Sequence, residues 1–187
     1  GLSLLHINPD AGAAAYRLPV LAQLESNASE SERTTVRDQF SGTTASHPTD
    51  ENGDGITASL FTGIEYGTAG RFTVHGMSEV LAPLPAPVTC PVDTLECPLL
   101  YSRAVLIHQA SGDQLHVTFT SGILCFNPPT GTYTFTGEGA YAGGTGRFTS
   151  ATGTFAMTQS GSTLAADAAG NSFGAATGAI TGTLILP

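Results

Sequence analysis

Residues 141–155 read YAGGTGRFTSATGTF. Two β-compatible runs meet across a glycine-rich turn, and Gly supplies the positive φ that such corners need. In this reading Arg147 lies outward beside the turn. Phe148 opens the next strand and points inward. Residues 66–73, YGTAGRFT, echo the same order: a tyrosine, a glycine-rich turn, then Arg-Phe-Thr. The echo is either chance recurrence in a Gly/Thr-rich chain or two similar tight hairpin corners, with Phe72 and Phe148 in equivalent places.

Working outward from these corners, the text from residue 34 onward breaks into short strands. Candidates are 34–41, 56–65, 71–80, 101–109, 114–121, 131–137, 153–159 and 176–186. The segments between them, among them HPTDENGDG, ASGD, NPPTG and DAAGN, carry Gly, Pro, Asn or Asp. No stretch holds a convincing helical period. Many short strands at regular spacing point to an all-β domain. About eight strands suit a single antiparallel β-barrel, whose closure removes exposed sheet edges. The barrel domain is expected over 34–187, preceded by an extended N-terminal arm and linker over 1–33. That arm is apolar at first, carries Pro19 in its possible edge strand, and turns polar over SNASESER. Asn27-Ala28-Ser29 matches a glycosylation acceptor, which matters only in a eukaryotic secretory route.

Composition narrows the function. The 187 residues hold 6 Lys plus Arg against 15 Asp plus Glu, a net charge of -9, and no lysine occurs. Charged residues are 11% of the chain, against about a quarter in ordinary domains. So few cations argue against nucleic acid and anionic membranes as partners. No run of about 18 apolar residues is present, so no membrane-inserted helix is expected. The 23 glycines and 26 threonines fit turns and strands respectively.

Cys90 and Cys97 stand close together in TCPVDTLECP, each followed by a proline. A disulfide between them is expected, with Cys125 left over. Cys125 could replace one partner, stay buried, or pair between chains. Low charge, absent lysine and close-set cysteines read as a secreted, extracellular or periplasmic protein.

The segment 141–155 also resembles the hairpin of the allene oxide cyclase and dirigent proteins. Its Gly-Gly-Thr-Gly-Arg-Phe followed by Ala-Thr-Gly is the specific part. FTGEGAYAGG before it and FGAATGAITGTLIL after it are similar to that barrel's later strands. The resemblance covers residues 101–187. It implies an eight-stranded antiparallel barrel around an apolar cavity. It also implies action on hydrophobic or phenolic small molecules, as a cyclase or a guide of stereoselective coupling. The matched residues form corners, so no catalytic residue carries over.

Candidates for chemistry come from the residues themselves. A carboxylate inside an apolar cavity would have a raised pKa and could act as acid or base. The catalytic candidates are Glu65, Tyr66, Arg103 and His108, with His75, His116 and Tyr133 as ligand-binding candidates. Glu79, Glu138, Asp113, Tyr101 and Tyr141 complete the acid–base set. His108 and His116 share a face only if the turn between them has the right parity. No spacing demands a metal. Asp50, Asn52 and Asp54 open like a calcium loop, but Phe61 stands where a bidentate Glu is needed, so an acidic turn is the plainer reading. No cofactor is expected, since nucleotide-binding loops and nucleophile elbows are absent.

The leading expectation is a barrel that binds a small hydrophobic or phenolic molecule. If an enzyme, it would be a cofactor-independent isomerase or cyclase. The alternative is a structural subunit of an extracellular fibre, surface layer or matrix, a homo-oligomer joined to copies of itself through the N-terminal arm.

Overall fold

A computed structural model describes residues 31–47, 56–84 and 86–187. The chain is an all-β closed barrel of eight antiparallel strands in sequence order. These are β1 (Glu32–His47), β2 (Ile56–Gly67), β3 (Gly70–Leu81), β4 (Leu95–His108), β5 (Gln114–Asn127), β6 (Thr132–Gly144), β7 (Thr152–Ala166) and β8 (Ser172–Leu186). Each strand pairs with its sequence neighbours, and β1 pairs with β8 over Glu32–Ser46, which closes the sheet. The strands run 12 to 16 residues, longer than the sequence reading, because their Ser-, Gly- and Thr-rich ends continue the ladder instead of turning. The apolar arm and Asn27 lie outside the described residues, as do the candidate calcium positions Asp50, Asn52 and Asp54.

Glycine does more than mark corners. Inside the wall, large aromatics sit directly across from glycines on the neighbouring strand. Phe61 pairs with Gly76, Tyr133 with Gly161, and Phe155 with Gly139 on one side and Gly182 on the other. Two cross-strand glycine pairs, Gly42–Gly63 and Gly122–Gly137, are covered by the rings of Phe40 and Phe135. A Cβ at Gly122 would lie 2.7 Å from the Phe135 ring. The missing side chains are the space into which the rings lean. Register shifts between Glu79 and Val80 and between Phe119 and Ser121 change which residues face inward. They let both Leu99 and Ser102, and both Phe119 and Leu124, face the interior.

One end of the barrel is sealed. Val36, Phe72, Leu115, Phe148 and Leu184 are at most 1% exposed there. The two echoed corners meet in this plug: the Phe72 and Phe148 rings lie 5.8 Å apart, and His108 packs edge-on to both at 5.4 and 6.2 Å. Phe72 begins β3 as expected. Phe148 instead belongs to a one-turn 3-10 helix, Gly146–Phe148, between β6 and β7. Arg71 and Arg147 are exposed, and the Arg147 guanidinium lies 4.9 Å from the Phe148 ring.

The cysteine pairing corrects the sequence reading. Cys90 is bonded to Cys125, with Cα atoms 5.5 Å apart, and Cys97 is a buried free thiol. Strand alternation explains this. Cys97 turns into the barrel interior, whereas Cys125, between the inward Leu124 and Phe126, faces the outside. Glu96 sits opposite Cys125 in the β4–β5 register. Its carboxylate accepts the backbone N–H groups of Val88, Thr89 and Cys90 at 2.8, 2.7 and 2.9 Å. Those bonds hold residues 88–90 against this outer face and bring Cys90 to Cys125.

Three expected outcomes follow from this packing. Gly122→Ala lowers stability by about 1–3 kcal/mol through overpacking, and Phe135→Leu in the same chain recovers part of the loss in denaturant unfolding. Thiol titration of the unfolded, unreduced protein finds one thiol, Cys97; three would refute the bond. The N–H bonds hold the Glu96 carboxyl below its ordinary range. A lowered folded-state pKa means stability that is present above the unfolded pKa and lost as acid protonates the folded group. Glu96→Gln is therefore less stable than the native chain near neutrality, and the two converge in acid.

Candidate functional site

Above the plug the barrel holds a cavity of about 560 Å³, a size ordinary for small-molecule sites. Its wall is mostly apolar, from residues such as Val74, Leu106, Val117, Phe119, Phe135 and Phe155. Its rim is formed by strand-end residues including Ser46, Thr57, Leu81, Leu95, Phe126 and Ser172. Polar groups interrupt the wall, among them Glu65, Tyr133, Tyr141, Gln159 and Ser102. Gln159 Nε2 lies 3.4 Å from the Tyr133 hydroxyl.

The floor carries the chemistry. Glu65 sits in one interior row between Phe40 on β1 and Phe72 on β3, so rings flank it on both sides. It is 5% exposed. Asp38, 1% exposed, lies two residues from Phe40 on the same face of β1 and is therefore a diagonal neighbour of Glu65. Asp38 Oδ1 accepts the Ala69 N–H at 3.2 Å. The Thr68 hydroxyl, 3.3 Å away, lies closer to the Thr35 carbonyl, at 2.8 Å. Gly67 makes room for this arrangement, since a Cβ there would lie 2.7 Å from the Asp38 Cα.

Asp38 Oδ2 has no hydrogen-bond donor as long as both carboxyls are ionised. Once protonated, Glu65 can donate to the Asp38 carboxyl. Burial, then the Asp38 charge, then this hydrogen bond push the Glu65 pKa up to about 8. All five described arginines, Arg33, Arg37, Arg71, Arg103 and Arg147, are exposed, so none of them offsets the pair from inside. Tyr141 is 6% exposed and packs on Phe155 with ring centres 5.3 Å apart. Burial, then the charges of Glu65 and Asp38, push its hydroxyl well above the ordinary phenol range, so it stays a neutral donor. Cys97 also lines the cavity, and burial raises its thiol.

The structure brings together Glu65 and Tyr133 of the sequence candidates, with Tyr141 from the wider acid–base set. The others lie elsewhere. Tyr66 follows Glu65 and so points outward, 52% exposed. Arg103 also points outward, with its guanidinium 5.3 Å from the Tyr101 ring. His108 faces inward but belongs to the sealed end, where its Nδ1 lies 3.0 Å from the Ser111 hydroxyl. His116 pairs with Val105 on the outer face, so the two histidines lie on opposite sides of the wall. His75 is exposed and its Nδ1 meets the Thr62 hydroxyl at 3.2 Å. Among the described residues no three His, Cys, Asp or Glu side chains converge as a metal site.

Asp38 is the residue the candidate set omits. The signal for it is alternation: in Val36-Arg37-Asp38-Gln39-Phe40, any strand that buries Val36 and Phe40 also buries Asp38.

No family model and no curated protein matches the chain.

The Glu65 carboxyl gives a signed pH dependence. With a folded pKa raised to about 8, the full stability is present below the unfolded pKa and is lost as pH rises through about 8. Glu65→Gln removes this loss. Relative to the native chain its stability increases from about pH 5 to about pH 9, by an amount on the order of several kcal/mol. Denaturant unfolding across that range measures it, and parallel curves would contradict the assignment.

Proposed function

We propose that the barrel is a secreted protein that holds a small hydrophobic or phenolic molecule in its cavity, as a cofactor-independent isomerase or cyclase. The observation that carries this reading is the 560 Å³ apolar cavity with an acid–base group on its floor. An apolar cavity with a few convergent polar groups and one perturbed carboxyl is the usual form of a small-molecule site. The resemblance to allene oxide cyclase and dirigent proteins belongs to the same proposal, which would place the chain among barrels of that type. The Cys90–Cys125 bond is compatible with an oxidising compartment.

The fibre or matrix reading has less support. It relied on strand addition and on Cys125 as a cross-link. Cys125 is taken up within the chain, and the closed barrel presents no open edge to a neighbour's strand.

Binding of N-phenylnaphthylamine, a neutral apolar fluorophore, tests the cavity. We expect enhanced fluorescence with micromolar affinity. Ala104→Phe, which fills the cavity beside Leu106 and Val117, should weaken binding by about tenfold or more, or ~1.4 kcal/mol. Equal fluorescence from both proteins would place the probe elsewhere.

A further inference from the structure

We propose that the cavity floor is a proton-transfer centre for hydrophobic carbonyl compounds with an exchangeable α-hydrogen. Glu65 is the acid–base residue, Asp38 positions and shares its proton, and Tyr141 donates a hydrogen bond to the carbonyl oxygen. The inference rests on the cavity reading above and adds a substrate class and residue roles.

Three observations lead to it. Glu65 is the one carboxylate among the described residues that line the cavity. Asp38 stands beside it, outside the lining, buried and with Oδ2 unpartnered. Tyr141, on β6 across the barrel from β2, is a buried hydroxyl lining the same cavity and kept protonated by its surroundings. A base and a neutral donor in one mostly apolar cavity form the pair that enolisation needs. The base removes the proton and the donor stabilises charge developing on oxygen.

The step balances within the substrate and protein. The Glu65 carboxylate takes the α-proton, and the C–H electron pair becomes the enolate carbon–carbon double bond. The carbonyl π pair moves onto oxygen, which accepts from the Tyr141 O–H. Glu65 then returns the proton to the same carbon, or to a conjugated position further along. Nothing is oxidised or reduced, and no co-reactant is consumed. A group that titrates near neutrality, as burial and Asp38 make Glu65 do, supplies both the base and the acid form at one pH.

The experiment follows α-deuteration of β-tetralone in D2O by NMR, alongside its displacement of N-phenylnaphthylamine. The native chain should accelerate exchange, with a rate that rises with pH through about 8 and then levels. Glu65→Gln should lose about 100-fold or more and Tyr141→Phe about 10-fold or more. Asp38→Asn should move the rate profile toward lower pH, which a merely structural role would not do. If β-tetralone displaces the fluorophore but exchange stays at the buffer rate, the proton-transfer proposal fails and the cavity reading stands. If neither compound binds, the cavity reading itself fails. If a variant does not fold, the native pH profile decides, and a flat profile between about pH 6 and pH 9 overturns the proposal.

Discussion

Aromatic rings lying across glycines hold this barrel in its shape. An eight-stranded barrel has an interior just wide enough to be filled by side chains or to hold one small ligand. Large inward residues at every position would overfill it, and small ones throughout would leave no core. Here the two are paired strand by strand: Phe61 against Gly76, Tyr133 against Gly161, Phe155 against Gly139 and Gly182. Each ring lies along the wall instead of pointing at the axis. The wall is thereby packed while the centre stays open, and the cavity is a consequence of that pairing.

The ends are treated differently. At one end Phe72, Phe148 and His108 close the bore with mutual edge contacts. The other end keeps its strand-end residues around a rim, and beside it residues 88–90 are tied to the outer wall by Glu96 and the Cys90–Cys125 bond. The two acidic devices also contrast. Glu96 is satisfied by three backbone N–H groups, which favour its charged form. Glu65, buried between rings and beside the Asp38 carboxyl, is driven toward its neutral form. One carboxylate builds structure, and the other stores an unfavourable ionisation at the floor of a cavity.

The fold was legible because its signals are local. Corners such as YAGGTGRFT and YGTAGRFT need only glycine and a following strand, and all eight strands fall where the turns predict. The site was legible in part. Glu65 and Tyr133 could be named as polar residues in strands, but their facing depends on register. β2 inverts the usual pattern: Leu60, Ile64 and Tyr66 point outward, at 64%, 36% and 52% exposure, while Gly63 and Glu65 point in. Hydrophobicity alone would turn that strand the wrong way round. The same dependence hid the disulfide, since Cys90 and Cys97 are near in sequence but end on opposite sides of the wall. The inward glycines were read as corners because a strand glycine has meaning only beside its ring, which comes from another strand.

The scarcity of cations, plain from composition, acquires a structural meaning at the floor. Two buried carboxylates are ordinarily stabilised by a buried arginine, lysine or metal. This chain has no lysine, and its described arginines all lie on the surface. With no cation buried beside them among the described residues, Glu65 is driven to hold a proton next to Asp38. A buried cation in that row would have held both groups ionised and made the pair a fixed salt bridge. With none among the described residues, the Glu65 proton is held by burial and by the neighbouring Asp38 carboxyl. A proton held so near its point of release has chemical use only where a substrate can reach it, and Glu65, unlike Asp38, lines the cavity.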